Sequence, residues 1–214
     1  MNRSLILGAV AVSLSVIVIS RCSQSVKTIA SGSGAKYAKV SDLNLAQAPY
    51  DEANIIIAGI VMPASLTARH GKGTVEFVLK LTDEYEIDIE YYQYDDKSFR
   101  FAGTPDESYE PAIPLARFPF TVGDAWSWKG ESTFAGKTRD ATATVTTGTE
   151  TLNLAGGHYE TIVITIELST DVDSAEPAVR KMKFWVAPKH GIVRREFDFD
   201  VAREPRPIDQ DDGP

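Results

Sequence analysis

The side chains able to do chemistry are few and dispersed. The histidines are His70, His158 and His190, which stand far apart beside glycines in turn-like text, and the sole cysteine is Cys22. A zinc site needs three or four ligands in workable geometry, and this set offers no cluster. Glu84, Glu86, Asp88 and Glu90 alternate along one stretch, and calcium favours several carboxylates. Strand spacing separates such neighbours by about 6.5 Å each, too far for one compact site. The stripe reads instead as a solvated strand face, paired with Lys80 or Arg100. Asp171, Asp173 and Glu176 echo a calcium loop without its glycine or its length. No Gly-x-Ser-x-Gly elbow is present, and Gly71-Lys72-Gly73-Thr74 lacks phosphate-loop spacing. With 30 acidic residues, no carboxylate pair singles itself out for glycoside chemistry. The expectation is a non-enzymatic protein with no catalytic residues, no metal and no cofactor.

The aromatic residues are the remaining candidates. Trp126, Trp128, Phe184 and Trp185, with Tyr91 and Tyr92 nearby, fit the wall of an apolar ligand groove or the core of a sheet. In extended chain Trp126 and Trp128 share a face, as do Met182 and Phe184, while Trp185 points the other way.

Strands must position these residues. Ile55 to Met62 is an apolar run bounded by Pro63. Val75, Phe77, Leu79 and Leu81 alternate with mostly polar residues, and so do Tyr85, Ile87, Ile89 and Tyr91, around a polar bend at Thr82 and Asp83. This is the strand period. Pro105, Pro111, Pro114 and Pro119 mark an irregular connection or an edge, because proline donates nothing to a ladder. Ile162 to Leu168, Met182 to Val186 and Val193 to Phe199 resume the alternation. Strand text recurs with hairpin turns and no amphipathic helix between. The predicted fold is mainly β, a single antiparallel, strongly twisted sheet or half-barrel/sandwich with little helix.

The boundaries follow from composition. Residues 1–21 carry an apolar run from Leu5 to Ser20 flanked by Arg3 and Arg21. As a helix it would be about 24 Å long, short of a bilayer core of roughly 30 Å. Three fates fit it: a lipoprotein signal with lipid on Cys22, an uncleaved membrane anchor, or a signal cleaved after Ser20. Arg21 departs from the small residue that usually precedes a lipidated cysteine. All three export the rest of the chain. Residues 22–49 read as a flexible tether, with Ser31-Gly32-Ser33-Gly34 of linker type, residues 50–202 as the β domain, and residues 203–214 as a disordered acidic tail. The net charge of −8 argues against nucleic acid as a partner. The expected partners are the membrane through the N-terminus and an apolar ligand or an envelope protein.

Three segments in order carry a resemblance: FPFTVGDAWSWKG from Phe118 to Gly130, ETLNLAGGHYET from Glu150 to Thr161, and KFWVAPKHGIVRRE from Lys183 to Glu196. They resemble a group of exported bacterial domains, often lipoproteins, TapB-like or otherwise uncharacterised. Some of these look like the curved sheets of lipoprotein carriers, which hold an acyl chain in the concave face. The resemblance implies an exported, membrane-tethered binding domain for a lipid or other apolar ligand. A structural component of a cell-envelope complex is the alternative.

Overall fold

The computed structural model describes residues 34–82, 85–155, 157–170, 177–198 and 201–207. The chain enters through β1 (Lys36–Tyr37) and a short helix α1 (Val40–Leu43), then passes into β2 (Glu52–Ile57), β3 (Ile60–Gly71), β4 (Thr74–Thr82) and β5 (Tyr85–Asp95). Next come β6 (Ser98–Thr104), β7 (Glu107–Arg117), the two-residue β8 (Phe120–Thr121) and β9 (Ala125–Phe134). The longest hairpin joins β10 (Lys137–Leu154) to β11 (Gly157–Thr170). Three strands finish the wall: β12 (Ala178–Ala187), β13 (Gly191–Phe197) and β14 (Val201–Pro205).

Twelve of these strands, all but β1 and β8, form one closed barrel with antiparallel neighbours. The open sheet, half-barrel or sandwich expected from sequence is therefore corrected to a closed barrel. The closing strand is β9, which pairs with β10 from Lys137 to Thr146 and with β7 from Glu107 to Glu110. An open edge would leave a row of unpaired backbone groups, and closure removes it. Beyond Glu110 the ladder between β7 and β9 stops where Pro111 and Pro114 stand. There the indole N–H groups of Trp128 and Trp126 donate to the carbonyls of Pro111 (2.9 Å) and Pro114 (3.0 Å). Two tryptophans thus supply donors along a seam that backbone pairing leaves open.

The lumen is filled. Phe77, Tyr92, Phe99, Phe101 and Phe184 are fully buried inside it, with Tyr92 5.2 Å from Phe77 and Phe101 5.4 Å from Phe184 between ring centroids. The outer wall carries charges such as Arg69, Glu76 and Glu86, which pair with one another across β3, β4 and β5. A membrane-spanning barrel has the reverse arrangement, apolar outside and polar within. Among the described residues no helix is long and apolar enough to cross a membrane.

The domain boundaries shift at both ends. Residues 34–49, inside the expected tether, form β1 and α1 and pack on one end of the barrel. Leu43 and Leu45 are fully buried there. The linker-like glycine and serine lie upstream of the leucines that find this apolar surface. At the other boundary β14 runs to Pro205 and buries Arg203, so the last wall strand extends past residue 202 into the expected tail. A charged residue in proline-bearing text reads as tail until its buried partner is known.

Candidate functional site

The two ends of the barrel differ. At the end reached by α1, Gly191 takes φ of +88°, and a Cβ there would lie 2.8 Å from the Asn44 carbonyl oxygen. Glycine is required for both reasons: the positive φ and the close approach of the plugging segment. Tyr50 ends that segment, and its hydroxyl donates to the Val193 carbonyl at 3.1 Å.

A buried charge cluster lies inside the wall. Arg195 and Arg203 are direct cross-strand partners, both 0% exposed, and Glu90 of β5 meets them at 0% exposure. Glu90 Oε1 accepts from Arg195 Nε at 2.5 Å and Arg203 Nε at 2.6 Å, and Oε2 accepts from the Tyr92 hydroxyl at 2.6 Å. Arg195 Nη2 also donates to Asp88, while Arg203 Nη1 donates to the Tyr50 hydroxyl at 2.6 Å. Burial alone would raise the Glu90 pKa. The charges of Arg195 and Arg203, with hydrogen bonds from Arg203 and Tyr92, outweigh it and hold the carboxyl at about 2. Burial pushes the Tyr50 hydroxyl the other way, to about 12.

Two irregularities aim these groups inward. On β13 the register slips opposite Trp185 and Val186, so Ile192 pairs with Val186 while Arg194 pairs with Trp185. Val193 is the extra residue, and the bulge turns Arg195 into the lumen beside Phe184. A second slip between Leu79 and Lys80 leaves Asp88 opposite Leu79 and Glu86 opposite Lys80. The acidic stripe is thereby split. Glu86 is on the outside with Lys80 and Arg69, as a solvated face should be. Glu90 is enclosed in the lumen and Asp88 beside it is mostly buried, which corrects the expectation that the whole stripe is wet.

The other end is an open mouth. A cavity of about 390 Å³ there is walled by Ile55, Ile57, Phe101, Phe134, Phe197 and Val201, with Asp88, Glu107, Arg180 and Arg195 among its polar residues. Arg180 Nε donates to Asp198 at 2.7 Å, and its Nη1 pairs with Glu107. A second cavity of about 510 Å³ lies behind Phe134 and Arg180 and shares both residues with the first. The large apolar side chains exposed among the described residues are Ile57, Ile60, Val61, Leu81, Tyr85, Phe134 and Val179. All seven lie at or near the hairpin ends on this side, from the connections β2–β3, β4–β5, β9–β10 and β11–β12. They make an apolar crown at this end, in which Ile57 and Phe134 line the cavity and Val179, paired with Ser169, faces the outer wall. Two of its turns, Ala58-Gly59 and Ala135-Gly136, take positive φ at both residues, the tight form that matches strand twist.

The aromatic candidates are dispersed by the fold. Trp126 and Trp128 close the β7–β9 seam, and Phe184 is in the lumen core. Trp185 faces out, packs with Ala187 and Val193, and donates to Glu150 Oε2 at 2.9 Å. None of the four lines the mouth. Cys22 and the loop containing Asp171, Asp173 and Glu176 lie outside the described residues. Among the described residues no group of three or more His, Cys, Asp and Glu is arranged to hold a metal ion. Sequence reasoning missed Arg195 and Arg203 and read Glu90 as solvated. One signal was available: Arg195 stands in phase with Phe197 on an apolar alternation, and an arginine on an inward face demands a buried acid.

The molecule is a side-chain-filled barrel, plugged at one end and apolar at the other. No family profile and no curated protein matches the chain, so the resemblance to TapB-like domains remains an expectation from its motifs. Among solved structures, the hypothetical lipoprotein YmcC from Escherichia coli (K12) is similar with a TM-score of 0.45 and 13% identity, over 74% of this chain and 89% of that one. An exported protein with a YmcC-like fold from Bacteroides fragilis NCTC 9343 gives a TM-score of 0.37 and 14% identity, over 78% and 99%. Both overlaps are partial, so it is the barrel's own geometry that bears on function.

Proposed function

We propose that this is an exported, membrane-tethered, non-enzymatic domain that binds an apolar ligand at the open mouth of its barrel. The observation that carries the reading is the crown: the exposed large apolar residues gather at one end, and two of them, Ile57 and Phe134, line its cavity. Ordinary surfaces scatter such residues singly, and their concentration at one end marks a candidate interaction site. The cavity falls in the lower part of the range of small-ligand pockets, about 300–1,000 Å³. A closed lumen packed with aromatics has no space for an acyl chain along its axis, so the ligand sits at the mouth rather than in a concave sheet.

The described chain enters beside β8 at the plugged end, opposite the mouth. Catalysis is a poor fit for the charge cluster. Both Glu90 oxygens are occupied by donors, and a carboxyl at about 2 is a weak base at neutral pH.

Native mass spectrometry of the full-length chain purified from cells tests this. A reproducible added mass that extracts into organic solvent is expected, and it should disappear in an Ile57→Ser, Phe134→Ser double variant. A bare mass, together with copurification of a stoichiometric protein that the same variant releases, would favour a structural role in an envelope complex.

A further inference from the structure

The two cavities of the open end meet at side chains, not at backbone. Glu107, Phe134 and Arg180 line both of them. Arg180 stands on β12 directly opposite Leu168, which is fully buried, so its side chain is on the inner face of the wall. Glu107 stands on β7, and β9, β10 and β11 lie between these two strands around the barrel. The ion pair of Arg180 with Glu107 therefore crosses the lumen as a chord. The second cavity fills the part that this chord cuts off, with Ser132 of β9, Lys137 of β10, Thr170 of β11 and Ala178 of β12 in its wall. The first cavity lies on the other side, against Ile55, Ile57, Phe101, Phe197 and Val201.

Both ends of the bridge are fixed. Glu107 is 9% exposed and also accepts from the Ser132 hydroxyl at 3.2 Å. Arg180 Nε donates to Asp198 at 2.7 Å, and the other oxygen of Asp198 accepts from the Lys181 N–H at 2.7 Å. Swinging Arg180 aside would leave the Glu107 carboxylate buried without its cation, which is costly. An apolar chain offers that carboxylate nothing in exchange.

Resting on the reading of the mouth as an apolar-ligand site, we infer that the Arg180–Glu107 bridge is its length gauge. The bridge ends the first cavity and limits the hydrocarbon chain that can be held against Ile55, Ile57, Phe197 and Val201. Each methylene buried there adds about fourfold in affinity. A chain that has reached the bridge gains nothing from further methylenes, which stay in water.

The test is photolabelling of the full-length chain in amphipol with a sixteen-carbon alkanol bearing a diazirine at its methyl end. Labelled peptides are mapped by mass spectrometry, and labelling is competed with uncharged n-alkanols of six to sixteen carbons. The comparison is with a Glu107→Gln, Arg180→Met double variant that has the wild-type circular dichroism spectrum. Amphipol takes up each alkanol equally in the two preparations, so its own preference for long chains cancels. Alkanols of six and eight carbons should compete equally in both. Those of fourteen and sixteen should compete at about tenfold lower concentration in the variant, the worth of one to two more buried methylenes. In the wild type, labels should fall on the peptides bearing Ile57 and Val201, and in the variant they should extend to those bearing Thr170 and Ala178. An unchanged ratio at every length would overturn the gauge and leave the apolar mouth standing. Weaker competition at every length in the variant would also overturn it, since the bridge would then be part of what the ligand needs. Labels on Thr170 and Ala178 in the wild type would overturn it without any variant. No competable label at the mouth of the wild type would defeat the apolar-ligand reading itself.

Discussion

The two ends of the barrel are made of similar text and end differently. At the plugged end, Leu43 and Leu45 from the segment before β2 are fully buried and Asn44 sits against Gly191. At the mouth, Ile60 is 66% exposed and Val179 71% exposed, and no described segment lies over them. Apolar residues at a barrel end call for a cover. One end receives it from the segment before β2, and at the other no described residue supplies one. Stability should therefore concentrate at the plug and the charge cluster it touches, and binding at the mouth.

The largest effect should come from Glu90→Gln. It leaves Arg195 and Arg203 facing each other in the wall without their shared acid, and breaking a buried pair costs about 3–5 kcal/mol. Urea unfolding of the full-length chain measures it. A loss under 1 kcal/mol would mean that the cluster is hydrated rather than buried.

Gly191→Ala should be next. A side chain at φ of +88° is strained, and it would collide with the plugging segment. The expected loss is about 1–3 kcal/mol, with faster hydrogen exchange around Leu43 and Leu45. Unchanged exchange there would separate the plug from the rest of the fold.

Tyr50→Phe should cost about 1–2 kcal/mol by removing the hydroxyl that joins the plug to Arg203 and Val193. The same contacts give stability a pH profile. The Glu90 carboxyl at about 2 is below an ordinary glutamate's 4.5, so its contribution is complete above 4.5 and is lost as pH falls toward 2. Tyr50 at about 12 is above an ordinary tyrosine's 10.0. Its contribution is complete below 10.0 and is lost as pH rises through about 12. Tyr50→Phe should make shallower the alkaline limb, to which the hydroxyls of Tyr92 and Tyr109, raised by burial, also contribute, and leave the acid limb in place, as read by denaturant midpoints across pH.

The smallest stability effect belongs to the mouth. Ile60→Ser and Phe134→Ser should each change unfolding by no more than about 0.5 kcal/mol. Ligand binding at the mouth should nevertheless fall. A large destabilisation by either would place the crown in the core rather than at a binding surface.

Several features were legible in the residues. Period-2 alternation in Val75 to Leu81, Ile162 to Leu168 and Met182 to Val186 gives strands and their inward faces, since a strand turns its side chains over at every step. The glycine at 191, before Ile192, reads as a turn. The opposite directions of Phe184 and Trp185 follow from the same step. The acidic stripe was misread because a bulge shifts phase by one, and a single extra residue is invisible to a period count.

What the sequence by itself determined is the mainly β character, the paucity of helix and the apolar faces, because these depend on neighbours within a few residues. Closure, the plug, the pairing of Glu90 with Arg195 and Arg203, and the gathering of Ile57, Phe134 and Val179 at one rim were decided only by tertiary structure. Each joins residues that lie tens to more than a hundred positions apart, and their contact depends on strand order and register, which no local pattern encodes.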